Sequence, residues 1–228
     1  MKAALLVCDH VPEELVPEHG TYPEMFGRLM NMPLHNYYVC DGHFPSVDDY
    51  DLFVCTGSKY SVYDDLPWVQ KLKKLTRAIY ESGKKYVGVC YGHQVIAESL
   101  GGKVQRSEKG YMIGVHQFTI TKRKPWMKPY EPEFNVLMLC QDQVVQLPPG
   151  AEKLAESPEC KIGMFTLDDR FLAIQGHPEF TPEFNKALFI PRLEKTAGDK
   201  VQQALISLNL EPDSTKLAGY IHHFLTQT

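Results

Sequence analysis

Short apolar runs alternate with helical patterns through the first half of the chain. Residues 3–8, 37–40, 52–55 and 86–89 read as strands, while 22–32 and 67–82 carry the three- and four-residue spacing of amphipathic helices. Such alternation predicts an α/β sheet with parallel strands. The helix after Pro67 is the clearest, because Trp68, Leu72, Leu75 and Ile79 repeat along one stripe, Asp64 and Asp65 precede it, and Gly83 follows. It is expected to cover one face of the sheet.

Beyond residue 90 the pattern changes. Residues 92–100 predict a short helix stopped by Gly101-Gly102, and strand-like pieces follow at 111–120, 136–140, 162–167 and 171–175, so the second half is expected to be partly antiparallel. Pro125, Pro129 and Pro132 fall among charges and aromatics in 122–132, which reads as an exposed loop or lid. The tail, 182–228, is expected to be mostly helical with a break near Glu211-Pro212. No internal repeat or linker divides the chain, so residues 1–228 read as a single domain.

Composition narrows the partners. The chain has 228 residues, 43% of them hydrophobic, which is enough for one sizeable core. With 24 Lys and Arg against 28 Asp and Glu, the net charge of −4 points to no nucleic-acid or anionic-membrane surface, and a small polar metabolite is the expected partner. The six cysteines form no C-x-x-C pair, and Cys8, Cys40 and Cys55 lie in apolar runs, which argues for a reducing cytoplasm. The apolar run 3–8 is too short for a secretory leader or a membrane span. The histidines outside the motifs below show no H-E-x-x-H or Cys/His spacing, so neither a metal nor a cofactor is expected.

Three turn-like segments carry the candidate chemistry. In Gly88-Val89-Cys90-Tyr91-Gly92, a strand-like run precedes the cysteine and a helix-like run follows it. Glycines on both sides permit a sharp strand-to-helix turn that lifts the thiol out of the sheet. The start of the helix then puts a partial positive charge beside the sulfur, which favours thiolate. In Gln175-Gly176-His177-Pro178-Glu179, the proline restrains His177 to an extended conformation, so the Glu179 carboxylate can reach its imidazole and fix the tautomer. In Cys55-Thr56-Gly57-Ser58, Gly57 can turn a backbone N–H toward a crevice and form an oxyanion hole with the Tyr91 N–H. Each segment alone has a bland reading, as a packed thiol, a loop or an ordinary strand-end turn. Together, at the ends of three strands, they supply nucleophile, base, orienter and oxyanion donors.

The elbow GVCYGHQVIAESLGG, the run QDQVVQLPPGAEKLAES and the closing AIQGHPEF resemble, in that order and spacing, the class I glutamine amidotransferase family, over about residues 3–189. The resemblance implies a flavodoxin-like open α/β sheet with mostly parallel central strands and a smaller antiparallel portion. It implies that Cys90 attacks a glutamine side-chain amide to form a γ-glutamyl thioester, that His177 and Glu179 complete the triad, and that Gly57 and Tyr91 form the oxyanion hole. It places Gln94, Ser58, Cys140 and Asp142 along the substrate. Within the family the chain looks similar to stand-alone GMP-synthase-like members, including γ-glutamyl peptidases, whose acyl donor can be a γ-glutamyl peptide. Members usually make ammonia for a synthetase domain; none fits within this chain, so a separate synthetase subunit is a possible partner. One departure stands out: Cys140-Gln141-Asp142 replaces a common His-Gln-Asp. Two other readings stay open. A DJ-1/PfpI-like cysteine hydrolase would use Asp9 beside the cysteine, and a silent binding or regulatory subunit would account for Cys140.

Overall fold

The computed structural model describes residues 1–193 and 197–227. Strands β1 (Ala3–Val7), β2 (Leu34–Tyr38), β3 (Leu52–Cys55) and β4 (Lys85–Val89) alternate with helices α1 (Val16–His19), α2 (Tyr22–Met30) and α3 (Pro67–Glu81). Helix α4 (Tyr91–Ser99) leads into β5 (Lys103–Arg106), β6 (Met112–Ile120), β7 (Glu133–Cys140), β8 (Asp142–Gln146), β9 (Glu152–Glu156), β10 (Met164–Leu167) and β11 (Phe171–Ile174). Helices α5 (Pro182–Leu193), α6 (Gly198–Ser207) and α7 (Ser214–Thr226) follow. The helical tail and its break after residue 207 are as the sequence predicts, apart from 194–196 and 228, which lie outside the described residues.

Nine strands form one sheet in the order β2-β1-β3-β4-β11-β10-β9-β6-β7, and β5 pairs with β8 in a second sheet. The five strands from β2 to β11 run parallel, whereas β11, β10, β9, β6 and β7 meet as antiparallel neighbours. The parallel core and antiparallel extension match the expected class. Strand β1 shows why its sequence is continuously apolar. Ala3, Leu5 and Val7 enter one core with α2 and α7, while Ala4, Leu6 and Cys8 enter the other with α3 and α4, so both faces are buried.

Helix α2 begins with a capping box: Glu24 N donates to Thr21 Oγ1, and Thr21 N donates to the Glu24 carboxylate over 2.6 Å. It ends two residues earlier than its apolar pattern, where Asn31 adopts a left-handed φ of 47°. Helix α3 starts at Pro67 and turns Val69, Leu72, Thr76 and Ile79 fully inward, with Trp68 and Leu75 at the edge of the contact.

Several expectations are corrected. The strand expected at 37–40 lies at Leu34–Tyr38, with Val39–Asp41 forming a 3₁₀ turn. As an edge strand paired only with β1, it tolerates His35 and Asn36 on its exposed positions and so lacks an apolar signature. Strands β5, β8 and β9 are similarly charged and half-exposed, and no apolar run announced them. The 122–132 segment, expected as an exposed loop or a lid, is a largely exposed loop anchored by two buried residues. Trp126 and Met127 are buried, and the Trp126 ring packs 5.5 Å from Phe224 on α7. Among the described residues no helix is long and apolar enough to cross a membrane.

Candidate active site

Three adjacent parallel strands, β3, β4 and β11, deliver the candidate residues from their carboxyl ends, where open α/β sheets form their binding crevices. Cys55 pairs with Gly88, and Val89 pairs with Ile174, so Gly57, Cys90 and His177 leave the sheet side by side. Cys90 N donates to Ile174 O over 2.8 Å, holding the elbow against the strand that carries the histidine.

The elbow is strained, as its sequence requires. Cys90 has φ 51° and ψ −100°, a conformation uncommon for a residue with a side chain. Its flanking glycines are demanded by contact: a Cβ on Gly92 would lie 2.5 Å from Cys55 O, and one on Gly88 would lie 2.5 Å from the Gly92 backbone. Helix α4 therefore settles directly onto β3 and β4, with its first residues around the thiol.

His177 Nδ1 bonds Glu179 Oε1 at 2.7 Å, and both side chains are nearly inaccessible to solvent. The expected pairing is present by a different path. Pro178 and Glu179 form a turn, closed by Phe180 N donating to His177 O over 3.4 Å, so the carboxylate returns to the ring instead of lying along an extended segment. Phe180 stacks on the imidazole at 4.0 Å between centroids and fixes the ring plane. Burial opposes a charge on His177, yet the sulfur of Cys90 and the Glu179 carboxylate override it and lift the imidazole pKa from 6.5 to about 10. Glu179 takes Nδ1, which leaves the buried Nε2 without a hydrogen-bond partner among the described residues, while the Cys90 thiol lies 4.0 Å from Leu139 O.

Gly57 completes the cluster. A Cβ there would come within 2.9 Å of His177 Cε1 and 3.7 Å of Cys90 Cβ, and its N–H has no hydrogen-bond partner among the described residues. Tyr91, the first residue of α4, offers an N–H that no preceding turn can satisfy. The histidine that follows the elbow, His93, is a core residue. Burial holds His93 down to about 3, and its ring packs 5.0 Å from Phe165.

Gly57, Ser58, Cys90, Gln94, Cys140, Asp142 and His177 line one cavity of about 520 Å³. The Ser58 hydroxyl donates to Cys8 O over 2.9 Å, which shapes the loop. Gln94 Nε2 donates to Asp142 O over 2.8 Å and to Gln175 Oε1 over 3.2 Å. The Asp142 carboxylate accepts hydrogen bonds from the Ser61 and Tyr63 hydroxyls. Burial, followed by the charges of Cys90, Cys160 and Asp142, pushes the Cys140 thiol well above its ordinary range, so it serves as a neutral wall. Sequence reasoning missed Lys59, Arg106, Tyr111, Phe180, Leu188 and Arg192, which also line the cavity. Of these, Phe180 had a usable signal, since it directly follows the His-Pro-Glu run.

Asp9 lines the same cavity but its carboxylate is engaged, bonding Lys59 Nζ at 2.9 Å and accepting from Lys59 N over 3.0 Å. It is not placed as an unpaired acid for the cysteine. Outside the cavity, His10, Cys40 and Asp41 bring one donor atom each to within 4.8 Å of the others, and are the grouping among the described residues that could hold a metal ion. Sequence spacing hides it, because His10 comes from the loop after β1.

Comparison with known proteins agrees with this architecture. γ-Glutamyl peptidase 3 of Arabidopsis thaliana is 34% identical over 183 residues, covering 74% of this chain and 74% of that protein. γ-Glutamyl peptidase 4 of the same plant is 36% identical over 197 residues, covering 81% of this chain and 77% of that protein. A crystal structure of a glutamine amidotransferase from Thermotoga maritima superimposes with a TM-score of 0.77 at 19% identity, covering 99% of this chain and 97% of the other, so the fold is shared. The family described as glutamine amidotransferase class-I matches residues 44–192, most of the chain from β3 to the end of α5, and this protein belongs to that family.

Proposed function

We propose that the chain is a Cys-His-Glu amidohydrolase that cleaves the γ-amide of glutamine or of a γ-glutamyl compound through a γ-glutamyl thioester on Cys90. The observation that carries this reading is the convergence of Cys90, Gly57 with its open N–H, and His177 on one cavity, with Glu179 bonded to the imidazole from behind. Relatives named γ-glutamyl peptidase support the acyl group.

The Cys90 thiolate attacks the γ-carbonyl, and the oxyanion forms between the N–H groups of Gly57 and Tyr91. His177, held as imidazolium by Glu179, passes its Nε2 proton to the departing nitrogen as the C–N bond breaks. The neutral imidazole then takes a proton from water, whose oxygen attacks the thioester and releases the acid and the Cys90 thiolate. Atoms balance as one amide plus one water to one carboxylic acid plus one amine. Six unpaired cysteines support operation in a reducing cytoplasm.

The direct experiment is incubation with a diazo-ketone analogue of glutamine followed by peptide mapping, alongside glutamate release from glutamine and γ-glutamyl dipeptides. An adduct on Cys90 and activity abolished by Cys90→Ala are expected. Modification elsewhere, or activity that survives the substitution, overturns the mechanism.

A further inference from the structure

The cavity is unevenly charged about Cys90. On one side, Asp142 is held by two hydroxyls and makes no salt bridge among the described residues, and Arg106 donates from its guanidinium to Gln141 Oε1 over 2.8 Å. Tyr63 binds Asp142 directly and feels the charge of Arg106, which places the acid and the base together. Gln94 belongs to this side through its bond to Asp142 O. An acid beside a base complements the ammonium and carboxylate at the amino-acid end of a γ-glutamyl group.

The other side differs. Asp9 and Lys59 neutralise one another at 2.9 Å. Arg192, on the rim at the end of α5, has no ion pair or hydrogen bond among the described residues. It acts electrostatically on Lys59 and on Tyr22, and the Tyr22 phenol, raised by burial, also senses Asp9, Glu179 and Cys90. Asp9, Lys59 and Arg192 together thus bring one net positive charge to the cavity that holds the cysteine. Ammonia as a leaving group has no use for such a charge, whereas a departing amino acid or short peptide carries a carboxylate.

We propose that Arg192 is a specificity-determining residue that pairs with the carboxylate of the leaving group, so that the donor is a γ-glutamyl peptide with a free carboxyl terminus instead of glutamine. The proposal rests on the thioester mechanism above, with the acyl group on the Asp142 and Arg106 side and the leaving group toward Arg192.

The test compares kcat/KM for γ-glutamyl-glycine and γ-glutamyl-glycinamide, which share the scissile bond and differ only in the terminal carboxylate. The wild-type protein is expected to prefer the acid on the order of tenfold, as befits one charge-assisted contact. That preference should shrink at high salt, because the pair is at the rim. Arg192→Gln should bring the ratio toward one and Arg192→Lys should restore part of it. Equal use of both donors by the wild type, an unchanged ratio in Arg192→Gln, or loss of the preference in Arg106→Gln instead overturns the assignment to Arg192. If both donors are cleaved in a Cys90-dependent manner, any of those results leaves the amidohydrolase reading standing. Failure to cleave either donor, with no diazo-ketone adduct on Cys90, overturns both.

Discussion

His177 and Glu179 meet across a tight turn, Nδ1 to Oε1 at 2.7 Å, with Phe180 stacked 4.0 Å from the imidazole on the same turn. The carboxylate occupies Nδ1 and leaves Nε2 free for the proton transfer we propose. Glu179→Gln preserves the shape but offers an amide that can present N–H to Nδ1 and favour the wrong tautomer. We expect kcat to fall by on the order of 10²- to 10⁴-fold, with little change in the urea midpoint at pH 7. Steady-state kinetics on a γ-glutamyl dipeptide decides it; a loss of less than about threefold would remove Glu179 from the triad.

The charges of Cys90 and then Glu179 about this imidazole, which outweigh its burial, make stability depend on pH. The folded-state pKa of His177 is raised from 6.5 to about 10, so the folded protein binds this proton more tightly than the unfolded chain. Its stabilising contribution is complete below about pH 6.5, declines as pH rises, and is gone above about pH 10. The gap in urea midpoint between wild type and His177→Gln should therefore narrow steadily across that window. A gap that widens with pH would show that His177 is not held as imidazolium by its neighbours.

The legible part of this protein was the part whose chemistry is local. The buried central strands are apolar on both faces, so Ala3–Val7, Leu52–Cys55 and Phe171–Ile174 declare themselves. The elbow declares itself too, because Gly88 and Gly92 are forced by backbone contact. Edge and outer strands did not, since Leu34–Tyr38 and Lys103–Arg106 expose polar side chains and depend on a neighbour for their shape. The rim of the cavity was equally hidden. Asp9, Arg106 and Arg192 lie far apart in sequence and converge only through the strand order. Glu179 was assigned to the right partner, but through an extended geometry that the turn at Pro178 replaces.

Gly57 should tolerate no side chain. An alanine Cβ would sit 2.9 Å from His177 Cε1, so either the ring or the loop must move by a few tenths of an ångström. Alanine keeps the backbone N–H that we propose for the oxyanion, but the shift of loop or ring misaligns it, so Gly57→Ala is expected to lower kcat by up to about 10²- to 10³-fold, the cost of losing such a donor outright. Circular dichroism and thermal melting should stay close to wild type. Kinetics that match wild type would place the oxyanion elsewhere.

Gly92 tests the fold beneath the nucleophile. A Cβ there meets Cys55 O at 2.5 Å and Cys55 Cβ at 2.9 Å, and neither partner can retreat because β3 lies inside the sheet. Overpacking of this kind costs about 1–3 kcal/mol. Gly92→Ala should lower the urea midpoint accordingly and slow alkylation of Cys90, since the elbow rides on the same contact. An unshifted midpoint would mean that α4 can slide away from β3.

The segment after β6 was expected to be an exposed loop or a lid, and its packing favours the loop. Trp126 is 3% exposed and packs edge-on against Phe224 at 5.5 Å and Tyr220 at 6.3 Å, while Tyr220 donates its hydroxyl to Pro129 O over 3.0 Å. Lys124 adds salt bridges to Glu152 at 2.7 Å and Asp169 at 2.9 Å. These contacts bind the loop to α7 and to the outer strands, and none of its residues lines the cavity around Cys90. Trp126→Ala removes a large buried ring and should destabilise the protein by about 3–5 kcal/mol. Measured well below the melting temperature, its KM for a γ-glutamyl dipeptide should remain within about twofold of wild type, because no substrate-facing group has changed. A severalfold rise in KM with an unaltered melting temperature would reverse the assignment and make the loop a lid.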